Sequence, residues 1–110
     1  MRTLFIALLL SPTALKANTF HSFYSGNDMY EICQEKSIIA DAYAAGVKDG
    51  SMVTDFIRGN QSPICLDKGV TVGQVSDVMC QYLEKYPEKR HLAASDLAIN
   101  SVAEAWPCTP

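Results

Sequence analysis

The sequence lacks most of the short motifs by which metalloproteins and nucleotide-binding enzymes are recognised. It contains no CxxC pair, no HExxH motif and no glycine-rich phosphate loop, which excludes the usual zinc and nucleotide sites. An excess of basic residues is also missing. The 110 residues carry a net charge of −3, whereas nucleic-acid binders usually present a basic face. We therefore expect no metal, no cofactor and no nucleic-acid partner.

Catalytic groups are equally scarce. The only imidazoles are those of His21 and His91, and the four cysteines are more simply explained as disulfide partners than as nucleophiles. Acidic pairs such as Asp28 and Glu31 stand at helical spacing, which is typical of a solvated helix face. The sequence therefore predicts a protein that is not an enzyme. The alternative is an enzyme that uses a reduced cysteine as its nucleophile.

Long apolar runs are missing except near the N-terminus. The run Leu4–Leu10 has seven residues, far fewer than the roughly 20 that a membrane span needs. It is typical of a secretory signal peptide, with cleavage predicted after Ala17 and less favourably after Ala14. A buried N-terminal helix is the alternative. Cleavage after residue 17 would leave residues 18–110 as a single domain without a membrane anchor, in the periplasm or outside the cell. It would also move the net charge from −3 to −5.

The remaining pattern predicts an all-α fold, because apolar residues recur at helical spacing and no segment alternates with the period of a strand. Three main helices are expected, over about residues 27–49, 71–86 and 92–106. Gly50 is expected to end the first helix. Thr71 and Gln74 are expected to open the second with a capping box. Residues 51–70 are predicted to form a short helical or irregular connection.

Four cysteines in a small exported chain predict two disulfide bonds. The short turn between the second and third helices makes them antiparallel, which brings Cys65, before one helix, close to Cys108, after the other. This favours Cys65–Cys108 and leaves Cys33 to pair with Cys80. A bond from Cys80 to Cys108 is disfavoured, because about ten helical residues span roughly 15 Å and a disulfide needs Cα atoms within about 7 Å. The result would be a small disulfide-stapled bundle.

Several short strings stand in an order that resembles one known family. From the N-terminus they are Ser25-Gly26-Asn27-Asp28 with Cys33, Tyr43-x-x-Gly46-Val47-x-Asp49, Cys65, Gly69-Val70-Thr71-x-Gly73-Gln74, Tyr82-Leu83-x-x-x-Pro87-Glu88-x-Arg90-His91, and Ala105-Trp106-Pro107-Cys108. Together they resemble the Rap/Tai family of bacterial immunity proteins. One position departs from the family pattern. The family commonly has a cysteine where this chain has Ala40, and Cys80 is an additional cysteine that fits the role of the missing partner.

The resemblance implies a periplasmic immunity protein that binds and blocks a peptidoglycan amidase delivered by type VI secretion, and it allows a homodimer. We interpret residues 51–64 as a loop that excludes the peptide substrate from the enzyme's cleft. The predicted partner contacts are Asp55, Phe56, Ile57, Arg58 and Asn60. Alternatively, Met52, Phe56 and Ile57 simply cover the core. A different function with a similar small, helical, disulfide-bonded layout is that of an HdeA-like periplasmic acid-stress chaperone.

Overall fold

The computed structural model describes residues 22–109, and within this range every regular element is helical. The helices are α1 (Gly26–Gln34), α2 (Ile38–Arg58), α3 (Val72–Lys85) and α4 (Ala94–Ala105), with a 3₁₀ turn over Pro87–Lys89 between the last two. Extended pairing in this range is limited to two isolated bridges. The all-α prediction is therefore confirmed for residues 22–109. The signal peptide predicted over residues 1–17 lies outside the described residues.

The single first helix predicted over residues 27–49 is wrong, because two helices occupy this stretch. α1 ends at Gln34, and Lys36 then adopts a φ of 51°, in the left-handed region that interrupts a right-handed helix. Ser37 opens α2, since its hydroxyl accepts a hydrogen bond from the amide of Ile39 at 3.1 Å. The bundle thus has four main helices instead of three.

The second helix also extends further than predicted. Gly50 was expected to end the helix, but it lies inside α2. A Cβ at this position would meet nothing within 4 Å. The end comes at Gly59, whose φ of 69° gives the left-handed cap that glycine adopts without a steric penalty. The connection predicted over residues 51–70 is therefore helical as far as Arg58 and irregular only after it.

The core lies around α3, which contacts each of the other three α-helices. Its buried apolar side chains are Met29 of α1, Ala40 and Ala44 of α2, Ile64 of the connection, Val75, Met79 and Leu83 of α3, and Ala94, Leu97, Ala98 and Val102 of α4. The buried residues of α2 are both alanines. Tyr43 and Val47 of α2 are partly buried against the core beside these alanines, whereas the other large apolar side chains of α2 are exposed.

Two capping boxes fix where helices begin. The amide of Thr71 donates to Oε1 of Gln74 at 2.8 Å and the amide of Gln74 donates to Oγ1 of Thr71 at 3.2 Å, which confirms the predicted start of α3. At α1, the amide and hydroxyl of Ser25 both donate to Oδ2 of Asp28 at 2.9 Å. The hydrogen bond from the Ser25 amide is the main cause, and the bond from its hydroxyl the second, of a pKa of Asp28 below its ordinary value of 3.8.

The start of α1 is held against the corner between α3 and α4. The amide of Gly26 donates to the carbonyl of Leu92 at 2.8 Å, and a Cβ on Gly26 would lie 2.7 Å from the backbone of Arg90. Arg90 donates from Nε to the carbonyl of Leu83, near the end of α3, at 2.6 Å, and its guanidinium stacks 3.5 Å from the ring centroid of Tyr30. The corner therefore joins α1, α3 and α4 through one arginine and one close backbone approach.

Candidate functional site

Two disulfide bonds tie the helix ends together. Cys33 in α1 is bonded to Cys80 in α3, and Cys65 before α3 is bonded to Cys108 after α4, with Cα separations of 5.7 and 5.0 Å. This is the pairing that the predicted helix arrangement favoured. Because all four cysteines are bonded, no thiol is free to act as the nucleophile of the alternative enzyme.

The second disulfide anchors the far end of the loop that follows α2. Ile64 is buried and bridges to Pro107, and the amide of Cys65 donates to the carbonyl of Trp106 at 3.0 Å. The loop is therefore attached to the C-terminal segment by a covalent bond, a buried side chain and a backbone hydrogen bond. Residues 59–63 lie between this anchor and the end of α2.

The near end of the loop is fixed by the cap of α2. The amide of Gly59 donates to the carbonyl of Phe56 at 3.2 Å, and the amide of Asn60 donates to the carbonyl of Asp55 at 2.9 Å. These are the two hydrogen bonds of the Schellman motif. The loop therefore leaves α2 in a defined direction.

The apolar side chains on the last two turns of α2 face solvent. Phe56 is 85 % exposed, Ile57 75 %, Val53 57 % and Met52 38 %. The alternative in which Phe56 and Ile57 cover the core is therefore wrong. Neighbouring apolar side chains that are exposed are typical of interaction surfaces.

Four of the five predicted contact residues lie exposed at this end of the molecule: Phe56, Ile57, Arg58 and Asn60. Asp55 differs, because it is half-buried and lines a cleft shared with Ser95 and Ile99 of α4. The structure also corrects the segment that carries these residues. Residues 51–58 are helical, and the loop begins only after them. The role of the five residues in binding a partner stays a prediction.

The N-terminal end of α2 is exposed as well, which was not predicted from the sequence. Ile38 is 79 % exposed and Ile39 50 % exposed, and Ala42 and Gly46 follow them on the solvent side of the helix. The signal was present in the sequence, because α2 carries apolar residues nearly all round its circumference. The exposed apolar surface therefore runs along the helix and is not confined to its C-terminal end.

A second surface feature is a group of lysine and tyrosine side chains where α3 ends. The Nζ atom of Lys89 lies 4.5 Å from the ring centroid of Tyr86 and donates to the hydroxyl of Tyr82 at 3.3 Å. That hydrogen bond is the main cause of a pKa of Lys89 above its ordinary value of 10.5. Lys85 also approaches the ring of Tyr86, at 5.2 Å. These contacts are local, since all four residues lie on α3 or in the turn that follows it.

Over residues 22–109 no helix is long and apolar enough to cross a membrane, and no three His, Cys, Asp or Glu side chains lie together as a metal site would require.

Comparison with known proteins identifies the family. No curated protein and no solved structure gives a significant match. The family model described as Rap1a immunity proteins, however, matches residues 25–108, which include all four α-helices and both disulfides. The chain therefore belongs to the Rap1a immunity protein family.

Proposed function

We propose that this immunity protein is exported to the periplasm, where it binds and blocks a peptidoglycan amidase delivered by type VI secretion. The match to an immunity protein family over residues 25–108 carries the proposal, because such a protein acts on a protein partner. The amidase as target rests on the resemblance of the sequence motifs to the Rap/Tai family. A homodimer belongs to the same proposal.

Export is supported by two independent features of the chain. The apolar run Leu4–Leu10 has the length of a signal-peptide core. Disulfide bonds persist in oxidising compartments such as the periplasm and are rare in the reducing cytosol. Peptidoglycan also lies in the periplasm, so an exported inhibitor would meet its enzyme where the enzyme acts.

Blocking an enzyme requires a surface that fits into the enzyme's cleft without a large loss of conformational freedom. The segment around Arg58 and Asn60 meets this requirement, because the cap of α2 fixes it on one side and the Cys65–Cys108 bond fixes it on the other. Arginine is among the side chains that supply most of the binding energy in protein interfaces, and Arg58 is exposed at the end of α2. No catalytic group is needed for such an inhibitor.

The acid-stress chaperone is less well supported. Such a protein opens when its carboxylates are protonated, so carboxylate contacts should join its helices to one another. Among residues 22–109 the one ion pair joins Lys48 to Asp49 at 2.8 Å, and both residues lie on α2. Low pH would therefore remove little that holds different helices together. We expect no suppression of client aggregation at about pH 2–3.

The proposal is tested by measuring the affinity of the oxidised chain for the amidase encoded beside it. The variant Arg58→Glu with Asn60→Ala is expected to bind at least about 30-fold more weakly, which corresponds to one interface hot spot. The matched control, Lys68→Glu with Gln81→Ala, makes the same charge reversal and a comparable loss of a side-chain amide at exposed positions outside this surface, and it should bind as the parent does. The proposal fails if the parent chain does not bind the enzyme. The contact surface is wrong if the control is weakened as much as the test variant.

A further inference from the structure

The two disulfide bonds differ in how easily another thiol can reach them. Cys65 and Cys108 are both exposed, whereas Cys33 and Cys80 are half-buried and pack against the hydrophobic core. Thiol–disulfide exchange begins when a thiolate contacts one of the two sulfurs, so access to the sulfurs limits its rate. The Cys65–Cys108 bond therefore offers the easier point of attack for a reductant.

The surroundings of the other bond also disfavour attack. Cys33 and Cys80 line a cavity of about 390 Å³, and the charged residues that line it with them are Lys36, Asp41 and Asp77. Two carboxylates and one ammonium leave a net negative charge in this cavity, which repels an incoming thiolate. Charge therefore acts in the same direction as the difference in access.

The two bonds also hold different parts of the chain. Cys33 lies in α1 and Cys80 in α3, so their bond joins two helices of the bundle. Cys65 lies in the connection before α3, and Cys108 lies beyond the end of α4, so this bond joins two segments outside the helices. Opening the Cys65–Cys108 bond therefore frees connecting segments and leaves the packing of the helices in place.

The segment that this bond holds is the loop of residues 59–63. With the bond open, the far end of the loop keeps the buried side chain of Ile64 and the hydrogen bond from the amide of Cys65 to the carbonyl of Trp106. Contacts of this kind open and close by local unfolding, whereas a covalent bond does not. The disulfide therefore decides whether the loop is held permanently or only part of the time.

We infer that the Cys65–Cys108 bond is a redox latch on the loop of residues 59–63. When the latch is closed, it holds the loop next to Arg58 as a preorganised surface for the amidase. When it is open, the helical bundle stays folded, but the loop must be ordered again at each binding event, which weakens binding. The effect on binding rests on the proposed function, whereas the effect on the loop does not.

Opening the latch consumes one dithiol of a reductant. One thiolate of the dithiol attacks the sulfur of one cysteine, the S–S bond breaks, and its electron pair leaves on the sulfur of the other cysteine, which takes up a proton. The second thiolate of the dithiol then attacks its partner sulfur in the mixed disulfide and releases the first cysteine, which is protonated in turn. The products are two thiols in the chain and one disulfide in the reductant. A disulfide oxidant closes the latch by the reverse steps.

The latch would tie binding to the compartment in which the chain lies. Thiols stay reduced in the cytosol, so the latch is open there, and it closes in an oxidising compartment such as the periplasm. A chain that has not yet been exported would therefore bind its enzyme weakly. Full affinity would arise only after export.

The order of reduction is tested on the folded, oxidised chain. Dithiothreitol is added, samples are alkylated at intervals, and mass spectrometry identifies the labelled cysteines. Cys65 and Cys108 are expected to be labelled at least about 10-fold faster than Cys33 and Cys80. Circular dichroism should show an unchanged helix content while only Cys65 and Cys108 are reduced. Equal rates, the reverse order, or a loss of helix at this stage would overturn the latch.

Release of the loop is tested with trypsin, which cuts after arginine and lysine and needs a locally unfolded chain. Cleavage after Arg58, where α2 ends, should become at least about 10-fold faster once the latch is open, and reoxidation should restore the slow rate. Cleavage after Lys85, where α3 ends, is the control within the same chain and should keep its rate. An unchanged rate after Arg58, or an equal acceleration after Lys85, would overturn the latch.

The effect on binding is tested with a permanently open latch. Cys65→Ala with Cys108→Ala should bind the amidase at least about 10-fold more weakly than the oxidised parent chain, and its affinity should not respond to dithiothreitol. If this variant does not fold, the parent alkylated at Cys65 and Cys108 replaces it. The matched control, Cys33→Ala with Cys80→Ala, should still lose affinity on reduction.

The outcomes separate the latch from the proposed function. An open-latch chain that binds as tightly as the oxidised parent would overturn the latch. If the oxidised parent does not bind the amidase, the proposed function fails, and the cleavage rate after Arg58 alone decides whether the bond is a latch on the loop.

Discussion

Removing the Cys65–Cys108 disulfide would measure how much this bond contributes to the free energy of unfolding. The bond joins residues 43 apart in sequence, for which the chain-entropy model gives about 4 kcal/mol of stabilisation. Both cysteines are exposed, so replacing them with alanine leaves no buried cavity and the loss reflects the missing constraint. Because domains of this size have about 5–15 kcal/mol of net stability, we expect the variant to fold with a much lower midpoint in urea.

The other disulfide supplies the matched comparison. Cys33 and Cys80 are 47 residues apart, so the entropic contribution of their bond differs from that of the first by only about 0.1 kcal/mol. These two cysteines are half-buried and pack against the core, so replacing them with alanine also removes packing contacts. We expect a loss greater by about 1 kcal/mol or more. Urea unfolding followed by circular dichroism measures both variants. A loss of stability below about 1 kcal/mol for the exposed bond would show that the bond does not constrain the unfolded chain as expected. A larger loss for the exposed bond than for the half-buried one would contradict the expected packing contribution.

Three further predictions concern single contacts. Gly26→Ala should destabilise the protein by about 1–3 kcal/mol in thermal denaturation, because its Cβ would lie 2.7 Å from neighbouring backbone, and an unchanged midpoint would contradict this. Since the pKa of Asp28 is lowered in the fold, its carboxylate stabilises the fold above the ordinary value of 3.8, and this stabilisation is lost as the pH falls through the lower folded value. Asp28→Asn should therefore flatten the acid dependence of the unfolding free energy, and an unchanged slope would count against the cap. Ala40 lines the same cavity as Cys33 and Cys80, so Ala40→Cys combined with Cys80→Ala should form a new bond to Cys33, and two free thiols by mass spectrometry would show that it does not.

The helices themselves were predictable because apolar periodicity and capping residues are local signals. The capping box at Thr71 and the all-α class followed from such signals and were confirmed. The interruption between α1 and α2 at Lys36 was not predictable from such local signals. A lysine with positive φ carries no sequence signature, and the apolar stripe continues across it. The prediction that Gly50 ends a helix was wrong because glycine, although typical of helix ends, is also tolerated inside a helix.

The predicted contact residues lie mostly on the surface, but their secondary structure was not predicted from the sequence. Phe56, Ile57, Arg58 and Asn60 were identified by their mixture of apolar and polar character, and the structure places all four on the surface. Their setting was missed, because the helix continues to Arg58 and ends only at Gly59. Whether an apolar helix face points inward or outward depends on which neighbours bury it. The apolar residues round α2 are visible in the sequence, but which of them are exposed became visible only with the tertiary structure.

We propose that this member of an immunity protein family inhibits a cell-wall amidase by occupying its cleft. The most direct measurement is a titration of the oxidised, full-length chain into the amidase encoded beside it, with cleavage of peptidoglycan peptides followed over time. We expect cleavage to fall to the background rate once about one chain is present per enzyme molecule, as is typical of tight binding at a preorganised surface. Cleavage that continues unchanged in the presence of a large excess of the chain would contradict it.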